Sequence, residues 1–434
     1  ARMDRVTIPM HLRRTASSCL AESWCIPSSE VIGSWRMSTQ PQPEPALSRG
    51  ALGGLVVADF SRVLAGPFAT QILADLGADV IKVESPAGDE TRGWHPPDRD
   101  GVSTYFLGAN RNKRDVVLDF RDPESRASAQ RLASRADVVI ENFRPGALAQ
   151  FGLDYAAVAQ RNPRTVYASI TGYGPHEGAQ LPGYDLTVQA TSGLMSLTGD
   201  PDGAVYRSGL SVFDVTTGLH AAIGVLAALR HRDLTGEGQH VQVNLLSTAL
   251  ASMANHSSAL IAGGVLPSRM GNAHPSLFPY EPFPVKDGQI IIVAANDAQF
   301  VRLAKAIGHP EWVYDDRFAT TRARNVNRHI LHPLLVDALA SHTVDDLFGL
   351  LTAAGVACGP INTLAGGISL AERLGLDPVV QVGDGERAVP MIRNPIDLSV
   401  TPAEYRLPPP LLGEHTSELL AWLASPVDEE ERTG

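Results

Sequence analysis

The alternation of short apolar strands with helical segments between residues 55 and 170 constrains this chain more than any other feature. Residues 55–60, Leu-Val-Val-Ala-Asp-Phe, have the pattern of a buried strand. Gly66-Pro67 breaks it, and Phe68, Ile72, Leu73 and Leu76 then recur at helical spacing up to Gly77. Residues 79–84 form the next strand pattern, so the first thirty residues of the regular region spell a strand–helix–strand unit. Such a unit closes only as a parallel pair with its helix across one face. The alternation continues with a strand at 115–120, a helix at 125–136 and strands at 137–142 and 166–170. The expected fold class is therefore α/β, a large Rossmann-like domain on a parallel sheet. Most of these strands run out into loops carrying Gly, Asn or Arg, the edge at which open α/β sheets hold their ligands.

Further on, Gly236-Glu237-Gly238-Gln239 turns the chain into a strand at 241–245, and a Ser/Ala-rich helix follows to about Ile261. Gly and Pro are then frequent up to residue 284, which marks a linker. A strand at 289–295 and helices carrying Leu303, Ile307, Leu334, Leu335, Leu347 and Leu351 point to a smaller α/β domain. The expected division is an extension at 1–50, the first part of the large domain at 51–245, a linker at 246–284, the small domain at 285–358 and a return segment at 359–434. Residues 1–50 hold five arginines up to Arg36, several serines and a Pro-rich stretch from Pro41, with Met37 as a natural start. They read as a disordered extension outside the fold.

Charge and cysteine content exclude several classes of function. A net charge of −11 argues against general binding to nucleic acid or acidic membranes, so an anionic ligand has to be met by local cations or helix N-termini. No apolar run of 18 residues was found that would cross a membrane. Three cysteines without zinc spacing, and histidines without an H-x-x-x-H pair, point to a reducing cytoplasm and to no metal site. A dinucleotide or nucleotide-hydrolysing site also fails, because Arg62-Val63-Leu64-Ala65-Gly66-Pro67 stands where a G-x-G-x-x-G would be, and no P-loop lysine follows. There is no G-x-S-x-G elbow for a serine hydrolase. The basic cluster Arg111, Lys113, Arg114 and Arg121 reads as a solvated face, with an anion site as the other reading.

Asp214 is the candidate centre. It precedes a helical run of Val215, Leu219, Ala222, Ile223, Leu226 and Leu229, in the position of an N-cap. There it would face free backbone N–H groups and the positive end of the helix dipole, which keeps an acid ionised and can serve a nearby oxyanion. Asp185, beside Tyr184, is a second carboxylate that could share acid–base work, whereas His220 reads as structural. The residues taken alone support a soluble α/β enzyme with an anionic ligand.

From about Leu55 to Trp422 the chain also resembles the type III CoA-transferase family, which includes formyl-CoA transferase, carnitine CoA-transferase and the α-methylacyl-CoA racemases. The resemblance rests on Ala65-Gly66-Pro67, the run from Leu73 to Glu84, Asn112-Lys113-Arg114, Glu141-Asn142-Phe143-Arg144-Pro145-Gly146, Asp214 in its helix-entry context, residues 235–239 and residues 411–416. It implies CoA transfer from an acyl-CoA donor to a free carboxylic acid, with Asp214 carrying an aspartyl-CoA thioester and Tyr184 beside it. CoA thioester is then a substrate, and no cofactor is held permanently. Arg62, Leu64 and Ala65 would border the adenosine of CoA, and Leu118, Arg121, Asn142, Phe143 and Arg144 would line the groove. Gly183, Tyr184 and Asp185 would flank the thioester. The family also implies an interlocked homodimer.

The racemases are the alternative. In them a histidine occupies the position of Tyr184 and moves the α-proton together with the aspartate. A phenol, with a pKa of about 10 in water, is a poor proton acceptor at neutral pH, so Tyr184 favours transfer. Residues 270–275, Met-Gly-Asn-Ala-His-Pro, lack the glycine run with which formyl-CoA transferase closes its site, which argues against an oxalate and formate pair.

Overall fold

The computed structural model describes residues 50–426. The extension expected over residues 1–50 lies, apart from Gly50, outside the described residues. Six strands form one sheet: β1 Val56–Asp59, β2 Asp79–Glu84, β3 Lys113–Val117, β4 Val138–Glu141, β5 Val166–Thr171 and β6 His240–Asn244. All neighbouring pairs are parallel, in the order β3-β2-β1-β4-β5-β6. This is the doubly wound order, in which the direction of winding reverses between β1 and β4 and opens a crevice at their C-terminal ends.

Both faces of the sheet are covered, which is why its central strands β1 and β4 are apolar runs rather than alternating ones. On one face Val57, Val80, Val138, Ile140, Val166, Ala168 and Ile170 meet the helices Ala65–Asp75 and Val212–Thr235. On the other, Ala58, Ile81, Val116, Val139 and Tyr167 meet Pro123–Arg135, Tyr155–Arg161 and Thr416–Ala424. Local chemistry sets the helix starts. Asp122 accepts the Ser125 N–H at 2.8 Å and Pro123 opens the helix behind it, a pairing suited to the free donors of a first turn.

The helix Val212–Thr235 corrects the membrane reading from sequence. Its most apolar 18-residue window has a mean hydropathy of 1.6, enough by length and composition to cross a bilayer. It is nevertheless a core helix, with Phe213, Ala221, Ala222, Val225 and Leu229 packed on the sheet. Near its other end, Arg232 donates to Asp137 at 2.8 Å. Its crossing with Ala65–Asp75 is tight, since a Cβ on Gly218 would come within 2.6 Å of the Ala65 carbonyl oxygen.

Of the basic cluster only Arg121 lies on a solvated face; Arg111, Lys113 and Arg114 are committed to carboxylates inside the fold. Lys113 is fully buried and pairs with Asp59 at 3.1 Å, while Arg111 pairs with Asp75 at 2.6 Å. Burial pushes the Lys113 ammonium down, and the neighbouring Asp59 carboxylate opposes that fall. Arg114 binds Asp79 and, at 2.6 Å, Glu418. The side chain of Asn112 donates to Asp75 and to the Glu404 carbonyl, and accepts from the N–H groups of Arg406 and Leu407. The run Asn112-Lys113-Arg114 thus ties the C-terminal stretch onto β3. Residues 411–416 complete the work: Gly413 donates to Asp115, and the side chains of His415 and Thr416 accept from Asp115 and Val117. The exposed edge of the sheet is covered by the chain's own return.

Tyr280–Val285, Gly288–Val293 and Ala357–Pro360 form a separate antiparallel sheet. Phe278, Phe283, Ile290, Ile292, Leu303, Leu331, Leu335, Leu347 and Leu351 make a core of their own around it. The stretch 246–284 is not a simple linker: the helices Leu245–Ser252 and Ala254–Ile261 occupy its first part, and its last residues belong to the first strand of this sheet. The Pro282 and Pro284 that suggested a linker lie in that strand, which pairs on one side only, so their missing donors cost no ladder bond.

Candidate active site

A cavity of about 210 Å³ opens at the crevice between β1 and β4. The β1 exit supplies Arg62, Val63, Leu64 and Ala65, and the β4 exit supplies Asn142, Phe143 and Arg144. Two reciprocal bonds clamp these exits together. The Arg62 N–H donates to the side-chain oxygen of Asn142 at 3.0 Å, and the Asn142 amide donates to the Arg62 carbonyl at 2.7 Å. The next residue, Val63, has a φ of 69°, a region a β-branched side chain rarely enters. Its N–H is held by the Asp89 carboxylate at 3.2 Å, and Asp89 is itself paired with the buried Lys82 at 3.0 Å. Strain at a ligand-facing turn is thus kept in place by a buried ion pair. The Arg62 guanidinium lies 5.6 Å from the centroid of the Phe143 ring. Arg62 and Arg144 are exposed, and neither has a carboxylate within ion-pair distance among the described residues. Two uncommitted guanidiniums at the rim of a cavity suit phosphate.

Gly183, Tyr184 and Asp214 line the inner wall. Gly183 packs backbone to backbone on Gly172, with no room for a Cβ on either, and this contact brings the loop before Tyr184 over the end of β5. Tyr184 is 55% exposed, and the Thr187 hydroxyl bonds both its N–H and its carbonyl as the helix Asp185–Thr191 starts.

Asp214 is not the cap of its helix. It lies in the first turn of Val212–Thr235, with Ser211 at the cap position. The free N–H groups expected there are already taken, because Asp185 accepts from Phe213 at 2.7 Å and from Asp214 at 3.2 Å. The expectation that the helix end would keep Asp214 ionised is corrected with it. Burial raises the Asp214 carboxyl to about 7, and the neighbouring charge of Asp185 adds to the rise. Near neutral pH the group is therefore poised between acid and carboxylate, and its ionised form is a better nucleophile than an ordinary aspartate. Glu90 is the other acid on the cavity wall and is exposed.

Asp185, at 6% exposure, stands behind the wall rather than on it. Its second oxygen is bound by the Gln189 amide. Both of its oxygens thus accept hydrogen bonds behind the wall. Leu118 and Arg121, named from sequence as groove residues, do not line the cavity. Leu118 is buried in the core on the other face, and Arg121 is exposed and bound to Asp119 at 2.7 Å, two residues away. His220 is also elsewhere, with Nδ1 at 2.8 Å from the Thr216 carbonyl. One residue the sequence did not mark is Tyr105. Burial raises its phenol, and the charges of Asp214 and Asp185 add to the rise. The ring of Trp94 meets it edge-on at 5.0 Å.

The model of CoA-transferase family III matches residues 52–416. The chain belongs to that family. The succinate–glutarate CoA-transferase of Agrobacterium fabrum is 40% identical over 405 residues, which is 89% of this chain and 98% of that protein. The succinyl-CoA:glutarate CoA-transferase of Mus musculus is 38% identical over 375 residues, 85% of each chain. Among solved structures, a CAIB/BAIF family protein from Brucella suis is similar with a TM-score of 0.77 and 41% identity, covering 86% of this chain and all of that one. The transferase therefore moves CoA from an acyl-CoA to a free carboxylic acid. Relatives named as CoA-transferases support transfer over the racemase alternative, and among the described residues no histidine lines the cavity.

Proposed function

We propose that Asp214 relays CoA through a covalent thioester, with CoA lying across the β1 and β4 exits. The ionised carboxylate attacks the thioester carbon of the donor, the C–S bond breaks, and CoA leaves as thiolate from a mixed aspartyl–acyl anhydride. The thiolate attacks the aspartyl carbonyl, expelling the donor acid and leaving aspartyl-CoA. The acceptor carboxylate attacks that thioester to give a second anhydride and thiolate. Attack of the thiolate on the acceptor's acyl carbon gives the new acyl-CoA and restores Asp214. The observation that carries this reading is that Asp214, half-buried in the first turn of its helix, lines the cavity together with Tyr184.

A carboxylate is a weak nucleophile toward a thioester, so holding the two together has to supply much of the acceleration, up to ~7–11 kcal/mol. In this reading Arg62 and Arg144 take the phosphates of CoA, and Phe143 with the Arg62 plane offers a stacking surface for its base. The likeness to succinate–glutarate transferases supports C4 and C5 dicarboxylates as donor acid and acceptor. We also read the exposed apolar stripe Leu219, Ile223 and Leu226 on the Asp214 helix as surface covered by a second copy in an interlocked homodimer.

Initial rates with succinyl-CoA and a panel of acids test the reading. It expects ping-pong kinetics, transfer to glutarate, loss of at least a thousandfold in Asp214→Ala and no α-deuterium in acyl-CoA incubated without acceptor in deuterated water. Exchange at the α-carbon, or a sequential mechanism with an active Asp214→Ala, contradicts it.

A further inference from the structure

A second cavity, of about 320 Å³, lies beside the first and shares Arg144, Pro145, Thr171 and Gly174 with it. On the sheet face beneath it, Val139 and Tyr167 belong to the apolar core. The next positions toward the C-terminal rim are polar: Glu141 on β4 and its register partner Ser169 on β5, with His240 opening β6 beside them. The Ser169 hydroxyl, level with Glu141 on the neighbouring strand and on the wall of the same cavity, is 2.9 Å from Nε2 of His240. The imidazole is held by stacking on Tyr155 at 4.5 Å and by an edge contact with Tyr167. No lysine or arginine pairs with Glu141 among the described residues, although it is 8% exposed. Burial pushes its carboxyl up to about 7 and pushes the His240 imidazole down.

An acid buried without a cation destabilises a fold, so its remaining contacts show what it does. Oε2 of Glu141 accepts the N–H of Phe143 at 2.8 Å. Phe143 is the centre of the turn that forms one lip of the first cavity. Asn142 clamps the Arg62 backbone, Phe143 carries the Arg62 guanidinium and Arg144 stands on the wall between the two cavities. We propose that Glu141 is a positioning residue for CoA binding: through the Phe143 N–H it fixes the turn that presents Arg62, Phe143 and Arg144, and Ser169 and His240 hold Glu141 from the second cavity. This rests on the reading that the first cavity takes CoA.

The titratable and charged groups facing Glu141 are His240, Tyr167, Tyr155 and Asp154 from the packed elements, and Arg144 from its own loop. The ionised carboxyl is the stronger acceptor for the Phe143 N–H. CoA affinity therefore falls as the pH drops through about 7 and Glu141 takes up a proton.

The test is calorimetric binding of CoA between pH 6 and 8 in an Asp214→Asn background, so that Asp214 adds no titration of its own. KM and kcat for acyl-CoA are measured alongside in the otherwise native chain. Glu141→Ala is expected to raise Kd and KM about tenfold with kcat within about twofold, the effect of one hydrogen bond to a charged group. Glu141→Gln keeps an acceptor for Phe143, so it restores most of the affinity but flattens the pH dependence relative to the parent. Ser169→Ala and His240→Phe weaken binding in the same direction, by about two- to fivefold. An unchanged Kd in Glu141→Ala, while Arg144→Ala weakens binding, overturns the positioning role alone. An unchanged Kd in both overturns the cavity reading as well. If Glu141→Ala does not fold, parent-like Kd values and pH profiles in Glu141→Gln and Ser169→Ala overturn the proposal.

Discussion

The carboxylate of Asp185 accepts the backbone N–H of Asp214 at 3.2 Å and that of Phe213 at 2.7 Å, so one acid caps the helix on which the other sits. The same contact that fixes Asp214 in space also sets its charge. Asp185 consumes the helix-end donors that would stabilise a carboxylate and adds a negative field beside it.

Replacing Asp185 separates these two effects. Asp185→Asn retains one acceptor and removes the charge, so the Asp214 carboxyl falls back toward the ordinary aspartate range. The acid limb of single-turnover acyl transfer should move to lower pH. Asp185→Ala also loses the cap, which costs roughly 1–2 kcal/mol and is read as a lower midpoint in thermal or urea unfolding. An acid limb that stays in place in Asp185→Asn contradicts the coupling.

The raised Asp214 carboxyl fixes the pH dependence of both chemistry and stability. Acyl transfer requires the ionised form, so the rate at saturating substrate should fall about tenfold per unit below about pH 7. The stability term has the opposite sense. A folded-state value of about 7, above the ordinary 3.8, gives stability that is fully present below about pH 4 and lost as the pH rises through 7. Asp214→Asn should therefore be inactive yet more stable than the parent at pH 8, by roughly 1–3 kcal/mol. Parallel unfolding curves at pH 4 and 8 check it, with a gain that grows from the lower to the higher pH.

Arg62 and Arg144 should act on CoA recognition alone. Arg144→Ala is expected to raise KM for acyl-CoA roughly 10- to 100-fold with little change in kcat, the worth of a charge-assisted bond to phosphate. The loss should shrink when the donor is an acyl-pantetheine, which has no 3′-phosphate adenosine. Equal losses with both donors would place Arg144 at the reacting end instead.

The contact of Gly172 with Gly183 predicts a different phenotype. A methyl group on either has no space, and relief displaces the loop carrying Tyr184. Gly183→Ala should lower kcat at least tenfold and destabilise by about 1–3 kcal/mol, the usual cost of overpacking. A loss in KM with kcat intact contradicts this placement of the loop.

The sheet was legible because β1, β2, β4 and β5 are mostly apolar and each connection is long enough for a crossover, which leaves few topologies. Asp214 was legible from the helical run that follows it, and Tyr184 from the resemblance to the family. What escaped depends on partners far apart in sequence. Lys113 meets Asp59 across 54 positions and Arg111 meets Asp75 across 36, so a run of basic residues looked like a solvated face. Asp185 reaches the Asp214 N–H across 29 positions, and without that contact Asp214 itself looked like the cap. Tyr105, Ser169 and His240 sit in no motif. Their roles arise only where separate strands and loops are brought together by the sheet, and sequence periodicity carries no information about that.

The central claim is that Asp214 becomes covalently acylated and then carries CoA. Mixing the transferase with succinyl-CoA, quenching with hydroxylamine and mapping peptides by mass spectrometry tests it most directly. A hydroxamate is expected on Asp214, in the peptide that follows Arg207, dependent on acyl-CoA and absent from Asp214→Asn. An unmodified Asp214 in a preparation that turns over, or a hydroxamate on Glu90 or Glu141 instead, contradicts it.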